Sequence, residues 1–451
     1  MITNLKDSNK IKIGIGFVTG RKNFKSLIKT YVQNWSEHGH RDNSNIELHA
    51  IVAYDLKYTG AEKEDFIQVE NEISEFIDSI NFISDNDCQE IISSLSEQGI
   101  ITLEEGNLVF GEGYGRKRNL ILYWAIKNNI DYVLFLDDDE YPAAPVKILN
   151  DRLTWIGQNV LGTHLEHIVN ADITAGYHCG YISPIPYMEF DSGLPEQDFK
   201  EFIEAISNEI VTWDSIRRKL AEGKGVTYAD ISVLLNSEPK EIREECGGKW
   251  IAGSNVCINL TRPENIPPYY NPPGARGEDT FLSTCLSGLK VMRVSAYTFH
   301  DGFLRYSQML SGVLPHLLKP VLPDEDAIKR RFIKACLGWI RYKPLLTFIT
   351  RRESYNEEIA LMKERLKKTV PVLNSFFKTD EFNQVIKNLR IYDKKVIEHY
   401  DEFRRVNECW SRIVNSRHQI MEREYIETGK IISYGKVNGK MSDPYPILQT
   451  H

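Results

Sequence analysis

The sequence predicts an α/β protein: a mainly parallel sheet flanked by helices, followed by a helical C-terminal region. Three observations carry this. Apolar runs alternate with segments of helical spacing through the first third of the chain, the pattern of a sheet wound with helices. Residues 131–142 (DYVLFLDDDEYP) pass from five mostly apolar residues into three aspartates and a glutamate. That run reads as a strand buried on both faces, ending at the sheet edge where ligands bind. From about Pro320 onward, apolar residues recur at helical spacing. At 451 residues the chain exceeds the usual single domain, which points to two or three units.

The elements follow in order. Residues 12–19 (KIGIGFVT) read as a first strand, 23–35 as a helix, and 46–54 (IELHAIVAY) as a second strand ending at Asp55. Residues 66–80 and 88–98 carry apolar side chains three or four apart and read as amphipathic helices. Residues 108–110 are short and apolar; the glycine turn GEGYG, 111–115, then opens a helix over 116–128. After the aspartate strand, 171–182 read as strand or turn, 196–222 and 228–245 as charged helices, and 250–260 (WIAGSNVCINL) as strand. Residues 263–277 hold five prolines and read as a loop. A helix over 278–289 and a last strand over 290–299 complete this part, within which 190–248 forms a helical insertion. Pro315, Pro320 and Pro323 punctuate a boundary, giving a first unit of 1–315 and a helical unit of 316–451. Helical spacing there covers 327–342, 355–370 and 382–420.

Composition excludes several classes. The net charge of -8 argues against a general nucleic-acid binder, which presents a basic face. No run of about 18 apolar residues exists, and residues 1–10 have no apolar core of the signal-peptide kind. Seven scattered cysteines with no C-x-x-C pair fit reduced thiols in a cytoplasmic protein.

Four features can carry chemistry. Asp137, Asp138 and Asp139 crowd at a strand end, and adjacent carboxylates repel unless a cation offsets them. The simplest offset is a hard divalent ion with oxygen ligands. In GEGYGRKRN, 111–119, glycines permit tight turns, and Arg116, Lys117 and Arg118 add cations where a helix start favours an anion. In GED, 277–279, a carboxylate at a loop-to-helix junction can act as a general base. In FHDGF, 299–303, His300 ends the last strand and can join a metal site.

Taken in this order, the motifs resemble those of glycosyltransferases of the GT-A fold, a Rossmann-like architecture, and of family 2-like enzymes in particular. The resemblance covers roughly residues 11–305: the two first strands, RKRN, the D-x-D motif Asp137-Asp138-Asp139, GED about 140 residues later, and the histidine after the last strand. It implies a metal-dependent enzyme that moves a sugar from a nucleoside-diphosphate sugar to an acceptor hydroxyl, with inversion. Asp139 would hold Mn2+ or Mg2+, Asp137 would contact the ribose or the metal, and His300 would be the third protein contact. Asp138 would be a flexible middle position. Arg116, Arg118 and Asn119 would orient phosphates or aspartates, and Asp55 would contact the nucleobase. Gly253 and Ser254 would border the donor sugar. Asp279 would deprotonate the acceptor, with Glu278 binding it or substituting as base. The donor would be a UDP- or GDP-sugar, and the acceptor a glycan, a lipid-linked molecule, a protein or a small molecule. The paired aspartates usual in the second strand of these enzymes are absent, as is a tryptophan motif after GED.

Other readings stay open on residues alone. Gly14, Gly16 and Gly20 could mark an NAD-binding Rossmann oxidoreductase, although the glycines lie within the strand rather than in the turn after it. A non-catalytic nucleotide-sugar-binding protein of the same fold is another, and phosphoryl transfer at Asp137 and Asp139 a third. His164 and His167, read on a strand, are structural or surface residues. Tyr269 and Tyr270 either stack on a sugar or pack their loop. The basic segment 329–342 (KRRFIKACLGWIRY) either packs on the sheet domain or rests on an anionic membrane as a peripheral contact.

Overall fold

A computed structural model describes residues 10–417, apart from 41, 42, 44, 149–151, 182, 183, 209, 210 and 237. The expectations for residues 1–9 and 418–451 lie outside the described residues. The strands are β1 (Ile11–Thr19), β2 (Ile46–Tyr54), β3 (Ser79–Ile83), β4 (Tyr132–Leu136), β5 (Glu140–Tyr141), β6 (Ala143–Lys147), β7 (Leu153–Gly157), β8 (Ile173–Tyr181), β9 (Lys240–Glu241), β10 (Val256–Asn259) and β11 (Val291–Asp301). Helices α1 (Phe24–Glu37), α2 (Glu64–Ile67), α3 (Asn71–Phe76), α4 (Asp85–Glu97), α5 (Leu103–Phe110), α6 (Tyr114–Lys127) and α7 (Val160–Ile168) accompany the first eight strands. Next come α8 (Glu196–Ile206), α9 (Trp213–Gly223), α10 (Ile231–Leu234) and α11 (Glu278–Thr284). The C-terminal helices are α12 (Asp326–Thr350), α13 (Tyr355–Phe377), α14 (Asn383–Lys394) and α15 (Val396–Asn415).

The protein is α/β, but its sheet is mixed, not mainly parallel. Strands run β3-β2-β1-β4-β10-β8-β11-β5, with β9 also on β11. The first four pair in parallel, and so do β8 and β11. β10 runs antiparallel to both β4 and β8, and β5 and β9 antiparallel to β11. An apolar run specifies a buried strand but carries no direction, so the reversal of β10 was not readable from its residues. It matters for the site. Val256 pairs with Phe135 at the top of β4, so the residues just before Val256 arrive beside Asp137.

β4 is buried on both faces, as its run of apolar residues predicts. Val133 and Phe135 join one apolar cluster, and Tyr132, Leu134 and Leu136 the other. The first cluster also takes in α4 to α6 and the C-terminal helices. Phe110 meets Trp410, and Phe199 of α8 meets Phe332 of α12, so one core joins sheet, insertion and helical region.

Several expectations need correction. Residues 66–80 are not one helix but parts of α2 and α3 and the start of β3, which pairs with β2. The apolar residues Phe66, Ile73, Ile77 and Ile80 have helical spacing, but Ile80 serves the strand. Residues 228–245 form only the four-residue α10 and the edge strand β9. Pro239 forbids a helix through this stretch by disfavouring the α conformation of the residue before it. The segment 196–222 is two helices, 250–260 is strand only from Val256 on, and α11 stops at Thr284. His164 and His167 lie on α7 rather than on a strand. His164 is fully buried between Thr174 Oγ1 and Asn255 Oδ1 (2.7 and 2.9 Å), a structural role. Segment 329–342 lies in α12 and spends its apolar side chains, Phe332, Ile333 and Ile340 among them, in the core. Among the described residues, no helix is long and apolar enough to cross a membrane.

Candidate functional site

The site gathers at the carboxyl ends of β1, β4 and β11 and the N-terminal parts of α6, α11 and α12. Each of the three aspartates is held by a different set of partners. Asp137 accepts from Arg118 Nη2 (2.9 Å) and from the Tyr114 hydroxyl (2.7 Å). Asp138 accepts from Thr19 Oγ1 (2.7 Å) and lies 2.8 Å from Arg21 Nε. Asp139 takes Arg21 Nη2 on Oδ2 (2.8 Å) and His300 Nε2 on Oδ1 (3.3 Å), with Arg331 Nη2 of α12 at 3.8 Å from Oδ2. The mutual repulsion expected of three adjacent carboxylates is thus offset by three guanidiniums and an imidazole. Asp138 is buried and held at both oxygens, so it is not the flexible position expected of it.

Burial and charge set the protonation of these groups. Burial raises the Asp138 carboxyl to about 7, with Arg21 only partly opposing it. Burial also opposes ionisation of Asp139, yet His300, Arg21 and Arg331 hold that carboxyl well below the usual range. Burial alone would lower His300, but Asp139 overrides it and lifts the imidazole to about 9. Asp139 and His300 are therefore an ion pair at neutral pH.

Arg118 is the hub of the other half of the site. Its side chain is almost fully buried and lies against the rings of Tyr114, Phe135 and Tyr269, 5.0, 5.1 and 5.4 Å from their centroids. Nη1 donates to the Gly253 carbonyl, Nη2 to Asp137, and Nε lies 3.8 Å from Glu278 Oε1. Glu278 of the GED motif and Asp137 of the aspartate run thus meet at one guanidinium. Gly115 makes this approach possible: a Cβ there would sit 2.8 Å from Glu278 Cβ. Burial and then Asp279 push the Glu278 carboxyl up to about 7, against the pull of Arg118. Burial raises Asp279 as well, and its Oδ1 accepts the Thr280 amide (2.8 Å). A carboxylate tuned near neutrality suits proton abstraction.

The other expected site residues divide. Gly253 borders Arg118 and Asp279. Ser254 donates instead to Glu140, a buried carboxylate that also accepts from Thr298 Oγ1 (2.9 Å) and lies 3.2 Å from His178 Nε2. Asp55 stands at the end of β2 with its Oδ1 capping the Lys57 amide (2.9 Å). Arg116 Nη1 donates to the Glu112 carbonyl (3.4 Å), not to an aspartate. Asn119 is a correction. It is fully buried, donates to the carbonyls of Val109 and Tyr269 (3.0 and 2.9 Å), and accepts the Tyr269 amide (2.7 Å). No donor remains for a phosphate. Tyr269 and Tyr270 are buried, so they pack their loop and cannot stack on a sugar. Gly14 and Gly16 lie inside β1, where a Cβ would meet Ile51 or Phe135 at 3.0 Å, so neither glycine forms a phosphate turn.

Sequence reasoning missed Arg21, Tyr114, Glu140 and His178, and it read Arg331 only as part of a surface or packing helix. Arg21 had a usable signal, since it follows β1 by two residues and so lies at a carboxyl end. His178 and Glu140 had none beyond their neighbours.

The expected metal centre fits only in part. Asp139 and His300 adjoin, but Asp137 is turned to Arg118 and Tyr114. Among the described residues, no three His, Cys, Asp or Glu side chains come together as ligands. As arranged, these residues do not fit a preformed three-ligand site. No protein-family model matches the chain, and no curated protein sequence matches it either.

Proposed function

We propose that this protein is a glycosyltransferase that moves a sugar from a nucleoside-diphosphate donor to an acceptor hydroxyl, with inversion. One observation carries the reading: the buried Arg118 guanidinium meets Asp137 through Nη2 and Glu278 through Nε, 2.9 and 3.8 Å away. A transferase needs cations where the leaving diphosphate gathers charge and a carboxylate where the acceptor loses its proton. Arg21, Arg118, His300 and Arg331 supply the first need, and the Glu278–Asp279 pair supplies the second.

In this reading the acceptor hydroxyl approaches Asp279 or Glu278 and gives up its proton as its oxygen attacks the anomeric carbon. The bond to the diphosphate oxygen breaks on the opposite face, so the anomeric configuration inverts. Guanidinium donors already fixed in place stabilise the departing oxygens without reorganising.

The test is thermal shift with UDP, GDP, CDP and NAD, followed by donor hydrolysis and transfer assays. Stabilisation by one nucleoside diphosphate, with turnover of its sugar lost in Asp279→Asn or Glu278→Gln, is expected. Stabilisation by NAD alone, or full turnover in both variants, would sink the proposal.

A further inference from the structure

We propose that Arg21 and Arg331 form a phosphate-binding fork, so that helix α12 of the C-terminal region supplies part of the ligand site. The two side chains are 310 residues apart in the chain and reach the same atom. Arg21 Nη2 is 2.8 Å and Arg331 Nη2 3.8 Å from Asp139 Oδ2. Each guanidinium keeps a buried nitrogen with no hydrogen-bond partner, Nη1 of Arg21 and Nε of Arg331. A buried N–H without an acceptor is costly, and two on guanidiniums that share one carboxylate oxygen call for a ligand with several oxygens. Asp139 cannot meet that need, because Oδ1 faces His300 and Oδ2 already takes Arg21. A phosphoryl group offers three acceptor oxygens and matches the planar guanidinium fork.

Access is consistent with a ligand site. The Arg21 side chain is 12% exposed and that of Arg331 30%, so the pair is partly enclosed and partly in contact with solvent. His300 adds a third cation from β11 on the far oxygen of Asp139. Arg331 lies beyond the region covered by the family resemblance. Its place in α12 is held by neighbours Phe332 and Ile333, both in the core. The packing of α12 on the sheet domain thus has a chemical consequence: it delivers a guanidinium to the aspartates.

The fork stands on its own geometry. Only the identity of the phosphate, as part of a sugar donor, rests on the transferase reading. The experiment is calorimetric titration of the full chain with inorganic pyrophosphate in EDTA, for wild type, Arg331→Gln and Arg331→Lys. The wild type should bind without added metal. Arg331→Gln should bind about tenfold to a hundredfold more weakly, the range for a lost charge-assisted hydrogen bond. Arg331→Lys keeps the charge and should fall between the two, which guards against a Gln variant that simply misfolds. Equal affinity in wild type and Arg331→Gln, or wild-type binding only with Mn2+, would overturn the fork. Pyrophosphate binding through Arg331 in a protein that turns over no nucleotide sugar would leave the fork standing and remove the transferase reading. Nucleotide-sugar turnover with Arg331→Gln indistinguishable from wild type in both binding and rate would do the reverse.

Discussion

Glu278→Gln should make the protein more stable at pH 8. The Glu278 carboxyl is pushed from 4.5 to about 7, first by burial and then by Asp279, with its side chain only 15% exposed. Between those two values the native state keeps a proton that the unfolded chain releases. Stability therefore falls as pH rises through the window, and the full cost is present above 7. A tenfold difference in proton affinity between the folded and unfolded chain corresponds to about 1.4 kcal/mol, so the ionised carboxylate costs on the order of 3 kcal/mol at pH 8. Glutamine has nearly the same shape, cannot ionise, and removes that cost. Urea denaturation at pH 4.5 and pH 8 reads it directly. The variant should match wild type at the lower pH and exceed it by up to about 3 kcal/mol at the higher. A variant less stable than wild type by the same amount at both values would refute the reasoning. It would mean that Arg118, 3.8 Å away, holds Glu278 as a stabilised carboxylate.

Three further outcomes follow from the geometry. Asn119→Ala removes three buried hydrogen bonds to Val109 and Tyr269 and should cost about 3 kcal/mol or more in chemical denaturation; a loss under about 1 kcal/mol would mean that water replaces the side chain. Gly115→Ala puts a Cβ 2.8 Å from Glu278 Cβ and 3.1 Å from Asn271 Oδ1, and the overpacking of about 1–3 kcal/mol should outweigh the helix-propensity gain of about 1 kcal/mol. A rise in melting temperature would contradict it. His300→Gln should be pH-dependent, because the imidazole is lifted from 6.5 to about 9 by Asp139. Its stabilisation is fully present below 6.5 and lost as pH rises through 9, so the deficit of the variant should be largest near pH 6 and shrink by pH 10. A deficit that stays constant across this range would show that His300 acts through packing instead.

What could be read from the sequence depended on what each residue's partners demanded. β1, β2 and β4 were legible because their apolar runs are buried against neighbours on both faces, and such burial leaves a compositional mark. The direction of β10 left none, since hydrophobic pattern is the same read either way. β3 was hidden because its isoleucine continued a helical spacing begun in α2 and α3. At the site, the aspartate run was legible from position alone, but what offsets it was not. Arg21, Arg331 and His300 reach it from residues 21, 331 and 300, and no local pattern links them. Asn119 illustrates the opposite case. A motif match put it among the phosphate ligands, while its buried amide is used up by the backbone of Val109 and of the distant Tyr269.

Arg118 and Asn119 are adjacent in the chain, yet they do different work, and together they explain how the two halves of the site keep their spacing. Asn119 ties α6 to the 269 backbone through both its amide atoms, with bonds of 2.9 and 2.7 Å. That loop leads, eight residues later, into Gly277 and the GED carboxylates, so α6 fixes where they begin. One residue earlier, Arg118 projects from the same helical turn onto the Tyr269 ring and reaches Asp137, Gly253 and Glu278. A rigid helix turn therefore sets the separation between the aspartates and the candidate base, and neither half can move alone while both side chains are in place. Loss of the Asn119 clamp should then reach the chemistry through geometry: the loop and Glu278 drift from Arg118, while the Arg21–Asp138–Asp139 cluster, anchored on β1, β4 and β11, stays where it is. Substitution of Asn119 should thus weaken acceptor-dependent transfer more than binding of a diphosphate.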